Sequence, residues 1–164
     1  MPKFYSTKTY GNDRGLSCCF RQWRSTHSHC SLLHGYSIGV KVIFECESLD
    51  ERNWVMDFGG LKEFKSWLEY MFDHTTLIAE DDPHLETFKK LGEIGTLHQT
   101  PYSALIDLRI VPGVGCERFS ELIHKKLSDI LDKDRQSGRL LNKTVTVKSV
   151  EVFEHGANSA IYEL

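Results

Sequence analysis

The stretch YSIGVKVIFECE, residues 36–47, puts Ile38, Val40, Val42 and Phe44 on one side of an extended chain. Ser37, Lys41, Ile43 and Glu45 fall on the other. A period of two, with branched and aromatic residues on one side, marks a half-buried β-strand. Just upstream, residues 16–23 (LSCCFRQW) predict a partner strand. Downstream the period changes. Leu61, Phe64, Trp67, Leu68 and Met71 recur every three or four residues, which predicts a helix over 59–72 with one apolar stripe. Pro83 suits the first turn of a short helix reaching residue 91. Residues 104–111 read as a short strand, and 117–131 as a second amphipathic helix carrying Phe119, Leu122, Ile123, Leu127, Ile130 and Leu131. Residues 144–153 alternate as a strand, 156–159 turn, and 160–162 form a last short strand. Strand pairs at both ends with helices between them predict an α+β fold. Its expected form is a four-stranded antiparallel sheet with two helices on one face, in a single domain over residues 1–164.

The composition excludes several classes. The chain has 164 residues, 40% of them hydrophobic and 26% charged, so it is long and apolar enough to bury a core. No apolar run approaches the ~20 residues of a membrane span, and residues 1–10 lack the apolar centre of a signal peptide. A net charge of −3 argues against a nucleic-acid partner, which wants a basic face. The five cysteines are odd in number and include no CxxC pair, a pattern of reduced thiols that predicts a cytoplasmic protein. Cys18, Cys19 and Cys46 sit in strand patterns as small hydrophobes. Cys116 stands at a predicted helix start, where a thiolate is favoured.

The residues able to do chemistry cluster early. His27, His29 and His34 bracket Cys30 in THSHCSLLHGY, residues 26–36. Histidines at loop spacing can ligate a metal or stand free in a loop. Asp73 and His74 follow the first helix; together they form a proton carrier with an orienting carboxylate, or a helix end with a favourable dipole. Glu154 closes the late strand, where a carboxylate can take a guanidine-like edge through two hydrogen bonds or simply face solvent. Glu117 fits either a ligand contact or a first-turn glutamate.

Four segments in order carry a resemblance: residues 30–36 (CSLLHGY), 54–58 (WVMDF) with Leu61-Lys62, 72–77 (FDHTTL) and 150–154 (VEVFE). Together they resemble the 6-pyruvoyltetrahydropterin synthase / 6-carboxytetrahydropterin synthase family, over roughly residues 16–77 and 115–162. The resemblance implies a tunnelling (T-fold) domain in which subunits join sheets into a trimer, or a hexamer, with active sites between subunits. It implies 7,8-dihydroneopterin triphosphate as substrate and carbon–oxygen lyase activity yielding 6-carboxytetrahydropterin, on the queuosine-precursor route, or 6-pyruvoyltetrahydropterin. Cys30, Asp73 and His74 match its proton-relay residues; Glu154 and Glu117 match the carboxylates that hold the pterin. Arg21, Arg24 and Lys41 are the candidate triphosphate contacts.

The family binds zinc through three histidines, one ending the first strand and two in a His-Gly-His. Here the third is Tyr36, and the first-strand position falls at Trp23 or Arg24. Either zinc is lost, leaving a non-catalytic or repurposed pterin-binding paralogue, or His27 and His29 replace the missing ligands. The expectation is Zn2+ held by His34, His29 and His27. Residues 80–115 are longer than the family's usual link.

Overall fold

The computed structural model describes residues 1–94 and 102–164. Its strands, in chain order, are β1 (Phe4–Tyr10), β2 (Ser17–Phe20), β3 (His34–Ser37), β4 (Gly39–Cys46), β5 (Thr75–Ala79), β6 (Leu108–Val111), β7 (Thr146–His155) and β8 (Asn158–Glu163). The helices are α1 (Lys62–Phe72), α2 (Leu85–Glu93) and α3 (Cys116–Gln136). The α+β expectation holds, and so does the four-stranded antiparallel sheet, in the order β1-β4-β7-β8. A second sheet, β3-β2-β5-β6, was not expected; β2 runs antiparallel to β3 but parallel to β5, and β5 parallel to β6.

The central strand β4 buries Val40, Val42, Phe44 and Cys46 and half-buries the residues between them, as its alternation requires. In β7 the alternation slips. Ile43 faces Ser149 while Phe44 faces Val147, so Lys148 is an extra residue, and the inward set becomes Val147, then Val150 and Val152. Such a bulge adds one residue to a strand without losing its buried face. Phe64, Leu68 and Phe72 of α1 join Phe119, Ile123, Leu127 and Leu131 of α3 in the same core as these strands. Both long helices thus cover one face of the antiparallel sheet, as predicted.

Two strands escaped the sequence reading. FYSTKTY of β1 buries only Tyr10, so it carries almost no apolar signal; its backbone ladder to β4 holds it. All five residues of β5 are buried, as expected of a strand paired on both sides, and a run that short has no readable period. The predicted 16–23 strand ends at Phe20, and its partners are β3 and β5 rather than the 39–46 strand. The helix opened by Pro83 is α2; residues 95–101 of the long link lie outside the described residues.

Arg21, the first residue after β2, donates to both carboxylate oxygens of Asp82 (Nε 2.8 Å, the second nitrogen 3.2 Å) and to the Ser31 carbonyl (3.3 Å). Asp82 also accepts from the His84 N–H at 2.8 Å, and its side chain is 1% exposed. Burial alone would raise the Asp82 carboxyl, but these hydrogen bonds and the guanidinium charge outweigh it and hold the carboxyl below its usual range. A depressed carboxyl stabilises the fold above its unfolded pKa near 4 and loses that contribution as pH falls through the folded value. Asp82→Asn removes one partner of this buried pair and should cost about 3 kcal/mol at neutral pH, and urea titrations below about pH 4 should show the gap to the native chain closing.

Candidate functional site

Past β2 the chain loops out and returns through a 3-10 turn at His29–Ser31. The Ser28 side chain accepts the Cys30 N–H (3.2 Å), and the Cys30 carbonyl accepts the Gln22 N–H (2.8 Å). These bonds, with Arg21 on the Ser31 carbonyl, fix the half-buried Cys30 beside the end of β2. There it lines a cavity of about 200 Å³ together with Phe20, Tyr36, Cys116, Glu117 and Glu154. Glu154 comes from the end of β7 and Glu117 from the first turn of α3. Neither carboxylate has a hydrogen-bond or ion-pair partner among the described residues.

The first turn of α3 reaches the cavity because Gly115 takes φ +110° and lets the Gln22 amide lie against it; a Cβ there would stand 2.8 Å from Gln22 Nε2. Gln22 and the hairpin residues Asn158 and Ser159 also line the cavity. Sequence reasoning passed over all three. They are neutral polar groups, Gln22 in a loop and Asn158 and Ser159 at the start of β8, and only the neighbouring Glu154 marks the hairpin as worth inspection.

The charge of the cavity acts on its neighbours. Burial, then Glu154 and Glu117, push the Cys116 thiol up to about 11. This corrects the expectation that its helix start would favour thiolate. Burial pushes Cys18 up to about 12 as well. The Tyr36 phenol also reaches about 12, by burial first and then by the charge of Glu154.

Asp73 and His74 lie elsewhere. Asp73 ends α1, and His74 Nδ1–H donates to its carboxylate at 2.5 Å, leaving Nε2 free. The His74 side chain is 87% exposed. Its N–H bonds the Ser17 carbonyl at the start of β2, whereas Cys30 is tied beyond the strand's end. Three strand steps separate Ser17 from Phe20, so the dyad and the thiol of one chain stand roughly 10 Å or more apart. His74 also has φ +56°, a left-handed backbone that a side chain makes costly.

The expected zinc ligands are not gathered. Among the described residues no three His, Cys, Asp or Glu side chains are placed to hold a metal ion. His27 lies exposed in the turn before the 3-10 segment, and the His29 and His34 ring centres stand 6.4 Å apart, nearly edge to face. The 3-10 turn brings His29 beside His34 but leaves His27 exposed in the preceding turn, so no third histidine joins them. The first-strand position is also corrected: β2 ends at Phe20, which pairs directly with His34, so neither Trp23 nor Arg24 occupies it. Of the triphosphate candidates, both arginines are engaged elsewhere. Arg21 is bound to Asp82, and Arg24 stacks on Trp23 and pairs with Asp81 at 2.8 Å. Lys41 lies within β4, between Thr9 and Glu151.

A family model described as 6-pyruvoyl tetrahydropterin synthase matches residues 12–164. The chain is 29% identical over 134 residues to the 6-carboxy-5,6,7,8-tetrahydropterin synthase of Aquifex aeolicus, covering 82% of this chain and 75% of that one. Two solved structures share its fold. An uncharacterized protein of Wolinella succinogenes gives a TM-score of 0.74 at 22% identity, over 99% of both chains. The 6-pyruvoyl tetrahydropterin synthase of Plasmodium vivax gives 0.65 at 15%, over 100% of this chain and 99% of that one.

Two outcomes follow from the geometry. At neutral pH less than about one part in a thousand of Cys18 or Cys116 is thiolate, so limiting alkylation with peptide mapping should label Cys30 before either; prior labelling of Cys116 would contradict the charge distribution described. His74→Gly should be about 1 kcal/mol more stable than His74→Ala in urea denaturation, because glycine accepts the positive φ without strain.

Proposed function

The chain belongs to the 6-pyruvoyl tetrahydropterin synthase family, and on that premise we propose that it is a carbon–oxygen lyase acting on 7,8-dihydroneopterin triphosphate. The name of the Aquifex relative favours the 6-carboxytetrahydropterin product, whose formation also takes up water, breaks a side-chain carbon–carbon bond and releases the two terminal carbons as acetaldehyde. One observation carries the reading: two unpartnered carboxylates, Glu154 and Glu117, face the same small cavity as Cys30. A pterin ring offers an amino group and a ring N–H along one edge, a donor pair that matches such acceptors. Held there, the ring directs its C6 side chain toward the thiol.

Expulsion of triphosphate requires a base. In that step a proton leaves the side-chain carbon next to the phosphate-bearing carbon. Its electron pair forms a carbon–carbon double bond, and triphosphate departs with the electrons of the carbon–oxygen bond. A thiol and an imidazole with an aspartate partner are groups suited to moving that proton. One chain does not bring them together, so the proposal includes a second copy, whose Asp73–His74 dyad meets this Cys30. The antiparallel sheet leaves β1 and β8 as open edges, with Tyr5 and Ile161 more than half exposed, and open edges invite pairing between copies. A trimer or hexamer built on these edges is part of the reading. A small-molecule partner is part of the reading too; among the described residues no helix is long and apolar enough to cross a membrane.

The aromatic residues near His34 favour a second reading, a pterin-binding paralogue without turnover. Incubation with 7,8-dihydroneopterin triphosphate decides between them. Turnover that Cys30→Ser abolishes supports the lyase; binding with no product supports the paralogue. Glu154→Gln turns one acceptor into a donor and should weaken pterin binding at least about tenfold by calorimetry; unchanged affinity would remove Glu154 from the site. A hybrid oligomer mixed from Cys30→Ala and His74→Ala chains should recover about a quarter of native turnover if each site draws the two residues from different copies, and none if it draws them from one.

A further inference from the structure

Phe20, His34 and Tyr36 share one face of the β2–β3 ribbon. Phe20 is directly opposite His34 in the antiparallel register, and Tyr36, two residues along β3, returns to the same face. The rings are in contact. Phe20 lies flat on Tyr36 at 4.0 Å with 8° between planes, and His34 tilts against Tyr36 at 4.5 Å. The strand that ends at Phe20 and the His-Gly-Tyr that starts β3 are the two segments from which the family presents its three histidines. Two of those three places hold hydrocarbon and phenol.

We propose that the Phe20–Tyr36 stack fills the place of the family's zinc ion and that this chain binds its pterin with no metal there. Phenylalanine has no donor atom. A neutral phenol is a poor zinc ligand, and the Tyr36 ring lies flat against Phe20 instead of opening toward a shared centre with His34. His34 Nδ1–H bonds the Leu32 carbonyl at 2.8 Å, which leaves Nε2 as a single imidazole donor. His29, its ring centre 6.4 Å from that of His34, would bring the count to two imidazoles, still short of the three protein ligands that a catalytic zinc requires, and among the described residues no third ligand joins them. Cys18 stands directly opposite Tyr36 in the register, but it is packed into the core at 4% exposure. The stack itself occupies the space: Phe20 is 1% exposed and also meets Phe119 edge-on at 5.0 Å, so it is anchored in the core and cannot swing aside for an ion. Phe20 and Tyr36 both line the cavity that holds Cys30, Glu117 and Glu154. The substrate therefore meets an aromatic wall where the family presents a cation.

This inference rests on the pterin reading only for the identity of the ligand; the metal content stands apart from it. The test measures zinc in the purified native chain by mass spectrometry and pterin binding by calorimetry, with and without a strong chelator. The expected result is under about 0.1 zinc per chain and a pterin affinity unchanged by the chelator. The double variant Phe20→His/Tyr36→His should then gain about one zinc per chain, measured by competition with a chromogenic chelator, and lose it again when His34→Ala is added. About one zinc per native chain, removed by His34→Ala, would overturn the inference. So would a tenfold or greater loss of pterin affinity on chelation. Should the double variant fail to fold even with zinc, the native measurements decide alone. A native chain free of zinc that binds no pterin under either condition upholds the aromatic replacement and refutes the pterin site instead.

Discussion

Strand β2 is four residues long and is paired on both edges, to β3 on one side and β5 on the other. That double pairing constrains everything near it. The loop carrying Cys30 leaves from one end of the strand, and the chain arriving from α1 docks at the other, where the His74 N–H meets the Ser17 carbonyl. Neither end can slide, because a one-residue slip would turn Phe20 out of the core. Thiol and dyad are thus fixed apart by hydrogen-bonded backbone. The Arg21–Asp82 pair extends the constraint beyond the strand, since one guanidinium ties the Cys30 turn to the turn after β5.

The cavity at the Cys30 end is shaped by what it lacks. Two carboxylates beside two thiols and a phenol, with no cation to offset them, form an unfavourable arrangement for stability alone. Their influence is felt in the raised Cys116 and Tyr36 groups. Elsewhere on this chain acidic groups find cations readily: Asp81 has Arg24, Glu63 has Lys133, Glu163 has Lys148. Glu154 and Glu117 are set apart by facing one cavity together, and a ligand rich in N–H donors would match both.

Much of the fold was legible because burial leaves a period. The alternation of β4 and the stripes of α1 and α3 each reflect one face meeting the core. Where burial was one residue deep, as in β1, or complete, as in β5, there was no period to read. The carboxylates and Cys30 were legible by motif, and the structure brings them to one cavity. The metal ligands were not, because strand ends are invisible in sequence. LSCCFRQW gives no sign that extended structure stops at Phe20, and a shift of three or four residues moved the first-strand position from the aromatic stack to Trp23 or Arg24. Histidine spacing misled for a related reason. His27, His29 and His34 are close in the chain, but only the rings of His29 and His34 come near each other, and His27 stays exposed in the turn before them. Arginines misled because charge does not reveal whether its partner is a ligand or, as for Arg21, an aspartate sixty-one residues on.

The Asp73–His74 dyad makes sense only as part of a larger surface. Its imidazole is almost wholly exposed, its carboxylate is partly so, and the backbone between them is in a conformation that costs free energy. A helix end with no task would relax by placing glycine or asparagine at the left-handed position, the residues that most often end helices there. Histidine at that position keeps Nδ1 on the aspartate and leaves Nε2 to the solvent that covers most of the ring. An outward-facing, oriented imidazole has chemistry to do only if something is brought against it. The Cys30 cavity of the same chain is held at the far end of β2, so on the proposed reading the approaching surface is a second copy. The exposed edges β1 and β8 provide backbone donors and acceptors for that approach, so assembly and activity draw on the same geometry.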